Sequence, residues 1–145
     1  MKKIFLICPV RYGKKLTREN KKIQEKIKQY VEKLEKVGHK VYWPPRDTNQ
    51  DDPIGLKICT DNGMAILDAD EVHIWWYWQE KKWWQKLIWW IKEKKSTGSL
   101  FDFGMAFMLF LILDKKIILA NPKNVKPTKN KSFTNVLLSL HKKEK

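Results

Sequence analysis

Short apolar runs alternate along the chain with longer segments in which apolar residues recur every three or four positions. Short runs rich in β-branched and aromatic side chains are typical of buried strands. The sequence predicts four such strands, at residues 3–8, 40–43, 71–76 and 116–120. Prolines directly follow the first two runs, which favours the end of a strand at each place.

The segments between these strands carry apolar residues at helical spacing. Thr17 is suited to cap one helix, and Gly38 supplies its end. Pro53 is suited to the first turn of a second helix. Two further helices are predicted over residues 101–113 and 133–141, the last of them amphipathic.

Strands that alternate with helices predict a three-layer α/β domain, in which helices cover both faces of a mainly parallel sheet. The 145 residues suit a single domain with one core. Open sheets of this kind bind ligands beyond the carboxyl ends of their strands. We therefore expect the functional site at that edge, which gathers residues 9–12, the polar loop within 43–52, Trp75 with Trp76, and residues 96–102.

Residues 77–95 interrupt this alternation and hold most of the tryptophans. Seven of the eight tryptophans lie between Trp75 and Trp90. Tryptophan, leucine and isoleucine fall on one broad side of a predicted amphipathic helix, and lysine and glutamine fall largely on the other. Packing within the protein or against another subunit, contact with a membrane surface, and a lid over the site each explain such a helix.

The net charge of +14 comes mainly from dispersed lysines, and only three arginines occur. Solvated lysine-rich faces and an anionic partner both account for this charge. Specific readers of nucleic acid rely more on arginine, whose planar fork matches phosphates and base edges. We therefore expect no specific nucleic-acid partner, while contact with a membrane surface stays open as an alternative.

Cys8 and Cys59 are the only cysteines, and they form no zinc-binding pattern with histidine. The longest uncharged apolar run, residues 103–113, is too short to cross a bilayer. The first apolar run is too short for the core of a signal peptide. We expect a cytoplasmic protein that needs no metal and no other cofactor.

The segment from Ser96 to Ala106 carries the clearest chemical signal. It opens with small hydroxyl residues around Gly98, which leave backbone N–H groups accessible to an anion, and it continues into an apolar helix. Asp102 lies near the start of this helix between two phenylalanines, where a solvated surface acid is unusual. The position favours a nucleophile or a base, although an acid that complements the helix dipole and serines that cap the helix explain the same residues structurally.

With these elements placed, the chain resembles the nucleoside 2-deoxyribosyltransferase family, including its nucleotide N-glycosidase relatives. The resemblance covers most of the domain, through the first strand to Arg11, residues 66–70, the segment from Ser96 to Ala106, and residues 115–119. It implies a flavodoxin-like fold, a homo-oligomer, and cleavage or transfer of the N-glycosidic bond of a nucleoside or nucleoside monophosphate. In such chemistry a carboxylate attacks C1′ of the sugar, and water or a second base resolves the covalent intermediate.

The resemblance also implies roles for individual residues. Asp102 takes the place of the attacking carboxylate, and Asn62 lies in the region that binds sugar hydroxyls. An indole that stacks and side chains that hydrogen-bond are suited to a nucleobase. The expected substrate-binding residues are Arg11, Ser96 and Ser99 at the 5′-phosphate, Trp43, Arg46, Asp47 and Gln50 around the base, and Tyr12, Asp61 and Gly98 close by.

Three positions depart from the family pattern. Asp102 replaces the usual glutamate, Asn62 replaces an acid, and Phe5 replaces a tyrosine of the first strand. These departures favour a second hypothesis, in which the protein binds nucleotides or forms an assembly without turnover. A third hypothesis makes the tryptophan-rich helix the primary element of a protein at a membrane surface.

Overall fold

A computed structural model describes residues 1–9, 18–76 and 97–143. These residues form four strands and five α-helices. The strands are β1 (Lys3–Ile7), β2 (Lys40–Tyr42), β3 (Glu71–Ile74) and β4 (Lys116–Leu119). The helices are α1 (Arg18–Lys36), α2 (Pro44–Asp47), α3 (Leu56–Asp68), α4 (Thr97–Leu113) and α5 (Phe133–Lys143).

The four strands form one sheet in the order β2-β1-β3-β4, and every neighbouring pair is parallel. Phe5 of β1 is in register with Tyr42 on one side and with Val72 on the other. Val72 is in turn in register with Ile117 of β4. This order and direction are those of a flavodoxin-like α/β fold. The predicted fold class is confirmed.

Helices cover both faces of the sheet, so the domain has three layers. One face buries Leu6 of β1 against Val31 of α1. The opposite face buries Phe5 against Ile66 and Phe103, which belong to α3 and α4, and α5 contributes to the same core. Because consecutive residues of β1 point to opposite faces and both faces are covered, the strand is apolar throughout instead of alternating with polar residues.

The start of α3 differs from the sequence prediction. The helix begins at Leu56, three residues beyond the proline expected in its first turn. Gly55 precedes it with a φ of 81°, a left-handed conformation that favours glycine. The Asp52 carboxylate accepts hydrogen bonds from the backbone N–H groups of Ile54 and Lys57, at 3.2 Å and 2.7 Å. These contacts hold the segment of Pro53 in a turn outside the helix.

The start of α4 differs in the opposite direction. The helix begins at Thr97 instead of residue 101, so Gly98 and Ser99 lie in its first turn and not in a loop. β2 ends at Tyr42, one residue before the predicted end, and the two prolines that were expected to break the strand open the short helix α2, since proline is tolerated in a first turn.

α4 carries no charged residue after Asp102, and part of its apolar surface faces outward. Phe103 and Ala106 are buried in the core, whereas Leu111 and Ile112 are exposed. Within the described ranges, no helix combines the length and the apolar character that crossing a bilayer requires. Assembly of several copies and cytoplasmic location stay predictions. The helix predicted over residues 77–95 lies outside the described residues.

Candidate active site

Asp102 lies in the second turn of α4, and it is buried together with the neighbouring Phe103. The residue is only 8% exposed. Burial raises the pKa of Asp102 from 3.8 to about 6, and a hydrogen bond from Asn62 offsets part of this rise. The carboxylate is therefore ionised at neutral pH and takes up a proton in mildly acidic solution.

Asn62 contacts Asp102 across the interface between α3 and α4. The residue is 5% exposed, and its Nδ2 lies 3.4 Å from Oδ1 and 3.3 Å from Oδ2 of Asp102. The adjacent Gly63 lets the two helices approach, because a Cβ atom there would lie only 3.3 Å from the sulfur of Met105. The amide N–H groups donate to the ionised carboxylate and stabilise it, but a neutral amide does not act as an acid or a base toward it.

Thr48 and Tyr42 extend this contact into a chain of hydrogen bonds. The Thr48 hydroxyl donates to Oδ1 of Asn62 at 2.9 Å, and the Tyr42 hydroxyl lies 2.9 Å from the Thr48 hydroxyl. Thr48 is buried although it lies in a polar loop after α2. Neither residue was expected in the site. Thr48 contacts Asn62, which lies 14 residues further along the chain, and no local pattern of the sequence signals that contact.

The Asp102 carboxylate is close enough to Cys8 for its charge to act on the thiol, and Cys8 directly follows the carboxyl end of β1. The sheet topology predicts a ligand site at this end of the strand. Burial raises the pKa of the Cys8 thiol to about 12, the Trp43 indole opposes this rise, and the charge of Asp102 adds to it. The thiol therefore stays protonated at neutral pH. An open cleft of about 480 Å³ lies on the sheet face that α1 covers, and it is lined by Cys8, Trp43, Pro45 and side chains of α1. Asp102 and Asn62 are absent from this lining.

Arg46 and Asp47 lie at the open edge of β2, where each is held by neighbouring groups. The Arg46 guanidinium donates to Glu35 at 2.9 Å, to Asp47 at 2.8 Å and to the carbonyl oxygen of Val41 at 2.7 Å. Both residues line a second cavity, of about 490 Å³, that follows this edge. They are absent from the lining of the cleft beside Cys8. The Trp43 backbone N–H donates to the Asp47 carboxylate at 2.7 Å, but the Arg46 and Asp47 side chains do not line the cleft that the Trp43 side chain lines. Their contact with a base stays a prediction.

Gln50 and Asp61 are also engaged in local contacts. The Gln50 amide donates to the carbonyl oxygens of Pro44 and Thr48, both at 3.2 Å, and so fixes the loop that presents Thr48. Asp61 forms an ion pair of 3.1 Å with Lys57, one turn earlier on α3. Asn62 alone of the predicted pair 61–62 points toward the carboxylate.

The predicted phosphate-binding residues are only partly described. Gly98 is exposed and Ser99 is half-buried in the first turn of α4. The N-terminal end of a helix favours an anion through the helix dipole. Arg11, Tyr12 and Ser96 lie outside the described residues.

A second buried polar chain lies on the sheet face that α1 covers. The Tyr30 hydroxyl lies 2.8 Å from Nδ1 of His73, and Nε2 of His73 lies 3.2 Å from a carboxylate oxygen of Glu71. Glu71 also forms an ion pair with Lys2 at 2.5 Å. Burial lowers the pKa of His73, although Glu71 opposes the change, so the imidazole is neutral at pH 7. Across the three described ranges, no cluster of side chains is suited to hold a metal ion.

None of the protein-family models, curated proteins or solved structures with which the chain was compared matches it significantly. The family resemblance therefore stays a prediction from the sequence.

Proposed function

We propose that the protein cleaves or transfers the N-glycosidic bond of a nucleoside or nucleoside monophosphate, with Asp102 as the attacking carboxylate. One observation carries the proposal: a carboxylate 8% exposed, near the carboxyl end of a parallel strand, in contact with the neutral amide of Asn62. A carboxylate with so little water around it gains strongly from a nearby positive centre. The anomeric carbon of a departing nucleoside develops such a charge.

The reaction has two steps in this proposal. An oxygen of ionised Asp102 forms a bond to C1′ while the bond from C1′ to the base nitrogen breaks, and the base leaves with the electron pair and takes up a proton. Water then attacks C1′ of the resulting ester, which releases the sugar and restores the carboxylate. A second base in place of water gives transfer instead of hydrolysis.

Two features support a nucleotide as the substrate. The cleft that Cys8 and Trp43 line has a volume of about 480 Å³, and Trp43 offers an indole on which a base can stack, although Asp102 itself does not line this cleft. The N-terminal end of α4, which holds Gly98 and Ser99, carries the positive end of the helix dipole, which favours a 5′-phosphate. Asp102 lies on the same helix, one turn further along.

The test is to incubate the pure protein with a panel of deoxynucleosides and their 5′-monophosphates and to measure free base by chromatography. Asp102→Asn should abolish release of the base, because an amide oxygen is a poor nucleophile. Asp114→Asn is the matched control: Asp114 is exposed just beyond the same helix, with a φ of 50° that asparagine adopts as readily. Equal turnover by wild type and Asp102→Asn would refute the role of the carboxylate.

A second candidate function is nucleotide binding without turnover. The contact between Asp102 and Asn62 favours it, because the amide cannot deliver the proton that the leaving base needs. In this case calorimetry would detect binding of a nucleoside monophosphate, while chromatography would detect no free base over prolonged incubation.

A further inference from the structure

We infer that Thr48 and Tyr42 are positioning residues, which orient the Asn62 amide so that its N–H groups face the carboxylate of Asp102. The inference deepens the proposed function, since it takes Asp102 as the reacting group. It concerns two residues that do not touch the carboxylate themselves. They act through a buried chain of hydrogen bonds that crosses from the end of β2 to α4.

The orientation of the amide is the first step. An asparagine side chain can place either its oxygen or its nitrogen toward a given neighbour. Thr48 donates to Oδ1 of Asn62 at 2.9 Å, which leaves Nδ2 to face Asp102. The reversed amide would place its oxygen against the ionised carboxylate, an arrangement of two acceptors with no proton between them. The carboxylate therefore excludes the reversed amide, and the Thr48 hydroxyl stabilises the observed orientation by donating to Oδ1 of Asn62.

The direction of the remaining hydrogen bond follows from the first. A threonine hydroxyl has one proton, and Thr48 has given it to Asn62. The contact of 2.9 Å between Thr48 and Tyr42 therefore requires Tyr42 to donate to Thr48, in preference to the Asp47 carbonyl oxygen, which lies further away at 3.5 Å. All donors along the chain then point toward Asp102. Tyr42 is itself fixed by stacking on Phe5, with ring centroids 5.4 Å apart.

Burial makes this arrangement consequential. Thr48, Asn62 and Asp102 are all buried, so water does not replace a lost hydrogen bond at low cost. Among the described residues, few titratable groups lie around the carboxylate. Cys8 at the end of β1 stays protonated, and Tyr42 reaches Asp102 only through the chain. Loss of a hydrogen bond in this series should therefore change the titration midpoint of Asp102.

The experiment measures that titration by NMR, using the full chain with 13C-labelled aspartate and assigning the Asp102 carboxyl signal with Asp102→Asn. Thr48→Val keeps the shape of the side chain but removes the hydroxyl. Its titration midpoint for Asp102 should lie about half a pH unit or more above the wild-type value, as expected for a weakened hydrogen bond to the charged form. Thr48→Ser, which keeps the hydroxyl, should restore the wild-type midpoint.

Thr60→Val is the matched control, since Thr60 is an exposed residue of α3 whose hydroxyl donates to the Leu56 carbonyl oxygen of the same helix. It should leave the midpoint unchanged. Tyr42→Phe keeps the stacked ring and should give a smaller upward shift; it also tests the inference if Thr48→Val does not fold. An unchanged midpoint in both Thr48→Val and Tyr42→Phe, or a Thr48→Ser midpoint no closer to wild type than that of Thr48→Val, would overturn the inference.

The titration requires no turnover, so its outcome is separate from that of the proposed function. If the protein is also active, the acidic limb of its activity profile should move with the NMR midpoint in each variant. A midpoint that shifts in a protein that releases no base would support the positioning role and refute only the enzymatic proposal.

Discussion

Nδ2 of Asn62 lies nearly equidistant from the two carboxylate oxygens of Asp102, at 3.4 Å and 3.3 Å, although 40 positions separate the residues in the chain. Both distances are long for hydrogen bonds, so the amide stabilises the charge only modestly. The cost of burying a carboxylate therefore dominates, and the pKa of Asp102 rises to about 6. Several consequences of this balance are measurable.

Activity should depend on the ionisation of Asp102. The attacking carboxylate must be deprotonated, so the rate of base release should increase as the pH rises and should level off above a midpoint of about 6. Initial rates between pH 4.5 and 8 measure this limb. A rate that stays constant from pH 5 to 7 would contradict the assignment of Asp102 as the nucleophile.

Asp102→Asn should stabilise the protein at neutral pH. The pKa of Asp102 is raised in the folded state, so ionisation between its ordinary value of 3.8 and about 6 costs folding free energy. The integrated cost is on the order of 3 kcal/mol above pH 6 and is absent below both pKa values. Urea unfolding at pH 7.5 should therefore show the variant to be more stable than the wild type.

The difference between these two proteins should narrow as the pH falls from 6 toward 4, because the wild-type carboxylate then takes up its proton. Asp114→Asn serves again as the control and should track the wild type throughout. A lower stability of Asp102→Asn at pH 7.5 would mean that the carboxylate contributes to folding, contrary to the balance described above.

Acidification should destabilise the protein through His73. Burial lowers the pKa of His73, so the unfolded chain, with its histidine near 6.5, binds a proton more readily than the folded one. The stabilising contribution is complete above pH 6.5 and is lost as the pH falls through the lowered pKa. His73→Gln removes the titrating group, and its unfolding free energy should change less between pH 7 and 5.

This comparison is best made in the Asp102→Asn background, because Asp102 shifts stability in the opposite direction over part of the same range. The other histidines are common to both proteins and cancel in the difference. If the double variant loses as much stability on acidification as Asp102→Asn alone, His73 is not the sensitive group.

Ser99 should distinguish a monophosphate from a nucleoside. The residue lies in the first turn of α4, where a phosphate is proposed to bind. Ser99→Ala should weaken binding of a 5′-monophosphate about tenfold, as expected for the loss of a hydrogen bond to a charged group, and should leave binding of the nucleoside nearly unchanged. Isothermal calorimetry with both ligands measures the two effects.

The matched control for this prediction is Ser139→Ala, on the exposed side of α5. Arg11→Ala should show the same selectivity as Ser99→Ala. An equal loss of affinity for both ligands would place the phosphate elsewhere.

The fold was predictable because apolar runs fixed the strands and their alternation with helices implied parallel pairing. The start of α4 was not predictable from the sequence. Thr97, Gly98 and Ser99 have weak helix propensity, yet they form the first turn of the helix. Arg46 was expected beside a base because it is one of few arginines. Its partners Glu35 and Val41 come from α1 and β2, and no short-range pattern reports that contact.

The Arg46 guanidinium also has a consequence for how this chain behaves in concentrated solution. Among the described strands, β2 is the outermost on its side of the sheet, and outermost strands present backbone groups to which another molecule's strand can add. The Arg46 guanidinium donates a hydrogen bond to the Val41 carbonyl oxygen and places a charged group where an incoming strand would lie. The same side chain therefore guards against intermolecular strand pairing and aggregation at this margin of the molecule.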